Sequence, residues 1–129
     1  MATIEDILMA KGPDVVVAAA GNSAYEAARM MAEANVGSVM IKDGDVLQGI
    51  FTERDLLRRV VAKGKDPAAT SLGEVMTAPV KTCSLGEDVR DVADRLEAEH
   101  IRHLAVVEDD ALVGMVSLRD VLRVAMTAP

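Results

Sequence analysis

One phrase occurs twice in this chain, and that doubling limits what it can fold into. Gly49-Ile50-Phe51-Thr52-Glu53-Arg54-Asp55-Leu56-Leu57 returns 65 residues later as Gly114-Met115-Val116-Ser117-Leu118-Arg119-Asp120-Val121-Leu122. Both copies read glycine, two apolar residues, a hydroxyl, any residue, Arg, Asp, then aliphatics. The alignment runs backwards without a gap, so that Val15 faces Val80, Gly21 faces Gly86, Ala28 faces Ala93 and Leu47 faces Leu112. A register held over so long a stretch means two copies of one supersecondary unit. Whatever the chain does, two related half-sites should do it.

The order of elements within a copy follows from caps and periodicity. Thr3-Ile4-Glu5-Asp6-Ile7-Leu8 predicts a short helix with Thr3 as N-cap and Asp6 three residues on, and it recurs at Ser71-Leu72-Gly73-Glu74-Val75-Met76. The offset there is 68 rather than 65, so the first copy carries about three extra residues around Lys11-Gly12-Pro13. Pro13 and Pro79 mark turns, each followed by a short strand (15–17, 80–82). A longer helix is predicted from Ala24 to Ala34, capped by Ser23 and boxed by Glu26, with Ala24, Ala27, Ala28 and Met31 as its buried face. Val89, Val92, Ala93 and Leu96 repeat that stripe. Hairpins follow: 36–41 with 47–51 around Asp43-Gly44-Asp45, and 101–107 with 112–116 around Glu108-Asp109-Asp110. A final helix follows each Asp, carrying Leu56, Leu57, Val60 and Val61 or Val121, Leu122, Val124 and Ala125.

Each repeat is therefore β-α-β-β-α, the first over residues 1–66 with its short N-terminal helix and the second over 67–129, joined by a polar linker from Lys63 to Thr70. The fold class is mixed α/β (α+β). Two three-stranded sheets, each too small to stand alone, are expected to pack sheet to sheet as one module.

Composition narrows the partners. Net charge is −7 and Phe51 and Tyr25 are the only aromatics, so neither a phosphate backbone nor stacked bases find a platform, and nucleic acid is excluded. Cys83 is alone, which fits a reducing compartment. The start, Met1-Ala2-Thr3-Ile4-Glu5-Asp6, is acidic where a signal peptide is basic, and the apolar run 15–20 is too short for a membrane span. A cytoplasmic protein without membrane contact is the expectation.

With the doubled element order, the hairpins ending in Gly-apolar-apolar-(Thr/Ser)-x-x-Asp and the phrase Ile101-Arg102-His103-Leu104-Ala105-Val106-Val107, the chain resembles a tandem pair of CBS domains, the regulatory module named after cystathionine β-synthase. The resemblance covers essentially all 129 residues. It implies binding of adenine nucleotides or adenosine derivatives (AMP, ADP, ATP), with or without Mg²⁺, in clefts between the repeats; no cofactor is otherwise required. In the family the hydroxyl and the Asp of the motif contact the ribose, which here means Thr52 and Asp55, and Ser117 and Asp120. A carboxylate accepting from vicinal hydroxyls suits that role. The resemblance pairs Thr52 and Asp55 with Thr82, Cys83, Arg102 and His103, and pairs Ser117 and Asp120 with Val17, Ala18, Gly37 and Ser38. Arg102 and His103 stand where the family grips phosphate, whereas their counterparts Gly37 and Ser38 carry no charge. A charged tail should prefer the first site and a neutral nucleoside the second; an arginine introduced at Ser38 is expected to add phosphate affinity there.

The same residues carry plainer meanings. Thr52-x-x-Asp55 and Ser117-x-x-Asp120 are ordinary helix starts, worth about 1 kcal/mol for the cap, and losing the acid should then cost only some tenths of a kcal/mol. Arg54 and Arg119 are read as solvated partners of nearby carboxylates. His100 and His103 lack a third ligand at a recognisable spacing, so no metal site is assigned. Cys83 has no base nearby and is read as a wall residue, and Met30, Met31 and Met40 as core. With no nucleophile, base or metal cluster, no enzyme and no catalytic residue are expected. The expected function is a ligand-sensing regulatory module that signals to an unidentified downstream protein by changing shape. An oligomerisation scaffold without ligand is the alternative. The exposed aliphatic stripes of the two final helices predict a homodimer.

Overall fold

Caps written into the sequence start helices where expected at Thr3 and Ser23, whereas the side chain of Ser71 makes no capping bond to its helix. In the computed structural model, which describes residues 1–12 and 15–127, α1 spans Ile4–Lys11. Thr3 Oγ1 accepts from the Asp6 N–H while Asp6 closes the box on the Thr3 N–H at 2.9 Å. The strand β1 (Val17–Ala18) precedes α2 (Ala24–Ala34), whose Ser23 and Glu26 make the same reciprocal pair. Next come β2 (Ser38–Asp43) and β3 (Val46–Thr52), then one helical turn, α3 (Glu53–Asp55), continuing as a π-helical stretch over Leu56–Val61. The second copy gives α4 (Leu72–Val75), β4 (Thr82–Cys83), α5 (Val89–Glu99), β5 (His103–Glu108), β6 (Ala111–Ser117) and α6 (Leu118–Thr127). The turn expected at Pro13 lies outside the described residues.

Both sheets have three strands, in the orders β1-β2-β3 and β4-β5-β6, with a parallel first pair and an antiparallel hairpin. The repeat survives to the level of register. Ser38 pairs with Thr52 as His103 pairs with Ser117, and the irregularity after Ile41 recurs after Val106. The turn at Asp109-Asp110 works without glycine because both residues take positive φ, 51° and 65°, which Asp tolerates better than most side chains.

The helix following each motif departs from the repeat. In α6 Val121 is fully buried; in the first copy the i→i+5 winding (Ala62 N–H to Leu57 O, 2.8 Å) goes with burial of Val60 instead. The linker is more ordered than its polar composition suggests. A 3-10 turn at Pro67–Ala69 leads to a buried Thr70, whose carbonyl accepts the Ala24 N–H at 2.8 Å at the start of α2.

The compact units do not follow the order of the repeats. One contains residues 1–14 and 81–129, the other residues 15–80. In the first, Ile4, Ile7 and Leu8 of α1 join Val89, Val92, Leu96, Leu104, Val106, Val116 and Val121 in one core. In the second, Leu72 and Val75 of α4 join Ala24, Ala27, Met31, Val39, Ile41, Phe51 and Val60. Each repeat's sheet is thus closed by the short helix that precedes the other repeat in sequence. The docking bonds match: Ile4 N–H to Glu87 O (3.0 Å) corresponds to Leu72 N–H to Asn22 O (2.8 Å), and Val89 N–H to Ala2 O (3.1 Å) to Ala24 N–H to Thr70 O. The expected boundary at 66/67 follows the repetition in sequence, while the packing exchanges the leading helices. Both helices present the same kind of apolar face, so patterning alone cannot tell whose core each one fills.

Candidate functional site

Each hairpin delivers its motif to the equivalent place at the end of its own sheet. Thr52 is the last residue of β3, opposite Ser38, and the chain turns into α3 as the Glu53 N–H bonds Gly37 O at 3.1 Å. In the other unit Ser117 ends β6 opposite His103, and the Leu118 N–H bonds Arg102 O at 2.7 Å. The structure therefore brings Gly37 and Ser38 to Thr52, and Arg102 and His103 to Ser117. The first-strand residues Val17, Ala18, Thr82 and Cys83 are separated from the motif of their own sheet by the intervening β2 or β5. Ala18 and Cys83 turn their side chains into the cores, whereas Val17 and Thr82 are exposed. Burial, reinforced by the charge of Glu87, pushes the Cys83 thiol up to about 12, so it is not a thiolate nucleophile at neutral pH.

The two acids have different partners. Asp55, 7% exposed, has Oδ2 accepting from the Thr52 N–H (3.0 Å) and hydroxyl (3.2 Å). Its Oδ1 accepts from the Thr77 hydroxyl (3.1 Å) and lies 3.4 Å from Arg59 Nε. Thr77 is itself fixed, because its backbone exchanges hydrogen bonds with Ile50 at 2.8 and 3.0 Å. Asp120 accepts on Oδ2 from the Ser117 N–H (2.9 Å) and from Lys11 Nζ (2.8 Å). Burial alone would raise its carboxyl; the hydrogen bond and charge of Lys11 and the bonds from Ser117 outweigh that and hold it below its ordinary value.

Lys11, Thr77 and Arg59 escaped the sequence reading. The only trace of Lys11 was the three-residue excess near it, which lengthens α1 to eight residues where α4 has four. Nothing in the pattern singled out Thr77, since its partners Ile50 and Asp55 are far away in sequence.

Ser38 stands apart. It is 2% exposed, and among the described residues its hydroxyl has no hydrogen-bond partner. Also among the described residues, no group of three or more His, Cys, Asp or Glu is placed to hold a metal ion, and no helix is long and apolar enough to cross a membrane.

The sequence profile of the CBS domain matches residues 4–62 and again 72–127. This chain belongs to the CBS-domain family. The mitochondrial CBS domain-containing protein CBSX3 of Arabidopsis thaliana is 33% identical over 130 residues, covering 94% of this chain. This CBS pair spans only 63% of that relative's length. The CBS domain-containing protein YhcV of Bacillus subtilis is 29% identical, over 93% of this chain and 83% of its own. Among solved structures, a proposed signal-transduction protein with CBS domains from Burkholderia ambifaria superposes with a TM-score of 0.94 at 29% identity, covering 98% of this chain and 96% of that one. CBS pairs are in general regulatory or signal-transduction modules rather than catalysts. In this CBS pair the two motifs share backbone geometry and differ in what holds the acid.

Proposed function

We propose that this CBS pair is a sensor of an adenine nucleotide, recognising ribose through the hydroxyl and carboxylate of its two motifs and signalling by a change of shape. The Ser38 hydroxyl carries the reading. A buried donor without a partner costs about 1–3 kcal/mol, and this one, paired with Thr52 in its own sheet, stands at a position the family resemblance assigns to the ligand of Ser117 and Asp120. A bound ligand offering an acceptor would relieve the cost. The hydroxyl-carboxylate pairs have the donor and acceptor chemistry that ribose needs, and Arg102 and His103 add groups suited to phosphate. There is no covalent step. The signal rests on different ligand affinities of two arrangements of the protein.

A second reading has its own observation. Asp55 is satisfied by Thr52, Thr77 and Arg59, as a purely structural cap would be. That favours a scaffold whose function is assembly. Leu57 (61% exposed), Val61, Leu122 and Met126 (81%) leave apolar surface on the helices that follow the motifs, and a second copy of the chain would cover it.

Thermal denaturation with AMP, ADP, ATP and adenosine, with and without Mg²⁺, separates the readings. A concentration-dependent rise in Tm, reduced for the phosphorylated compounds in Arg102→Ala, is expected of the sensor. A flat response to all four, with a light-scattering mass of two chains or more, overturns it in favour of the scaffold.

A further inference from the structure

Lys11 does with one side chain what Thr77 does with backbone and hydroxyl. In the unit of residues 15–80, the Thr77 N–H bonds Ile50 O at 2.8 Å and its hydroxyl bonds Asp55. Met115 and Asp120 are the counterparts of Ile50 and Asp55, 65 residues on. Lys11 Nζ donates to Met115 O at 3.0 Å and to Asp120 Oδ2 at 2.8 Å. The substitution is not conservative in its physics. Thr77 is tied into a bridge by its backbone, whereas Lys11 is a flexible stem ending in a full positive charge, 31% exposed at the side chain. Arg59, the local cation of Asp55, has Val124 as its counterpart, so Lys11 supplies the charge at the second acid.

We propose that Lys11 makes the Ser117–Asp120 site selective for phosphorylated ribosides over unphosphorylated ones, against the sequence expectation that this site suits a neutral nucleoside. The inference rests on the proposed nucleotide binding and deepens it. Ribose hydroxyls that donate to Asp120 compete with the ammonium for Oδ2. A nucleoside offers the displaced cation nothing in return. A nucleotide brings its own anion, to which the long side chain can swing, so that the broken ion pair is replaced rather than lost. Thr77 cannot move in this way without opening its bridge to Ile50, and Arg59 beside Asp55 is held further off at 3.4 Å with a second bond to the Met76 carbonyl, so the exchange belongs to the Asp120 site, whose ammonium bonds the carboxylate directly.

The test is a titration followed at the backbone amides of Ser117, Arg119 and Asp120 by two-dimensional NMR, with AMP and adenosine as probes, on wild type, Lys11→Met and Lys11→Arg. Wild type should bind AMP about five-fold or more tighter than adenosine at these amides, the factor that roughly 1 kcal/mol of ion pairing provides. Lys11→Met should bring the two affinities together, chiefly by tightening adenosine, while Lys11→Arg keeps them apart. If Lys11→Met fails to fold, Lys11→Gln serves in its place. An unchanged ratio in the neutral variants overturns the role of Lys11 and leaves nucleotide binding standing. Binding seen at Thr52 but never at Ser117 overturns the Asp120 site. No response to either compound anywhere overturns the nucleotide reading itself.

Discussion

Leu8 lies so close over Gly114 that a Cβ on the glycine would come within 2.7 Å of Leu8 Cδ1. The other unit repeats the relationship, with a Cβ on Gly49 falling 2.5 Å from Met76 Sδ and 3.0 Å from the Thr77 carbonyl oxygen. The glycine that opens each motif is therefore the seat for the exchanged segment, and the absence of a side chain lets it approach. Gly114→Ala should destabilise the protein by about 1–3 kcal/mol, as overpacking of a filled core does. Denaturant midpoints would measure it. Adding Leu8→Ala should recover part of the loss of Gly114→Ala through the direct coupling of the pair. Strict additivity of the two would show that they do not meet.

Asp55→Ala is expected to weaken the fold more than the sequence suggested. An exposed first-turn acid contributes only tenths of a kcal/mol, but this one is buried and accepts from Thr52 and Thr77 beside the Arg59 guanidinium. Its loss leaves the Thr77 hydroxyl without its acceptor, a cost of about 1–3 kcal/mol, while the Arg59 guanidinium keeps the Met76 carbonyl at 3.1 Å. Thr77→Val should recover little of its own wild-type stability but blunt the added effect of Asp55→Ala. Chemical denaturation of the four proteins of the cycle would decide it, and a cost of tenths for Asp55→Ala alone would return the residue to a simple cap.

Much of this architecture was legible because local chemistry and tertiary packing agree. The cap boxes at Thr3 and Ser23, the stripes of α2 and α5 and the two hairpins each follow from periods and caps that no distant contact overrides. Strand ends shifted by one or two residues, as expected where hydrogen bonds rather than side chains set the limits. What stayed hidden is long-range. The apolar face of Ile4, Ile7 and Leu8 calls for a core without saying which, and Lys11 reaches its partners 104 and 109 residues away. The motif acids were legible as important, but their partners were not, because the doubled pattern draws attention to what the copies share and conceals where they differ.

The acid limb of stability should carry the signature of Lys11. The folded carboxyl of Asp120 lies below its ordinary 3.8, so its contribution is fully present above that value and is lost as pH falls through the folded value. The stability difference between wild type and Lys11→Met should therefore be constant near neutrality and shrink as pH drops through the carboxylate range. Urea unfolding at a series of pH values from neutral to about 3 would show it. A difference that persists undiminished at the lowest pH would mean that Lys11 stabilises through its stem and its bond to Met115 rather than through Asp120.

Ser38→Ala should move stability and binding in opposite directions. The hydroxyl is buried with no partner among the described residues, and removing it takes away a desolvated polar group while deleting a single oxygen from the packing. Without ligand, the variant should match or exceed wild type, by up to about 1 kcal/mol. With AMP or adenosine it should bind several-fold more weakly, because the donor proposed for the ligand is gone. Few structural roles produce that pair of signs, since a residue that merely packs loses stability when truncated and leaves affinity alone. Melting curves without ligand and calorimetric titrations with it, made on the same preparations, give both quantities. If stability rises while affinity is unchanged, the buried hydroxyl does not serve the ligand, and the observation on which nucleotide sensing rests is withdrawn.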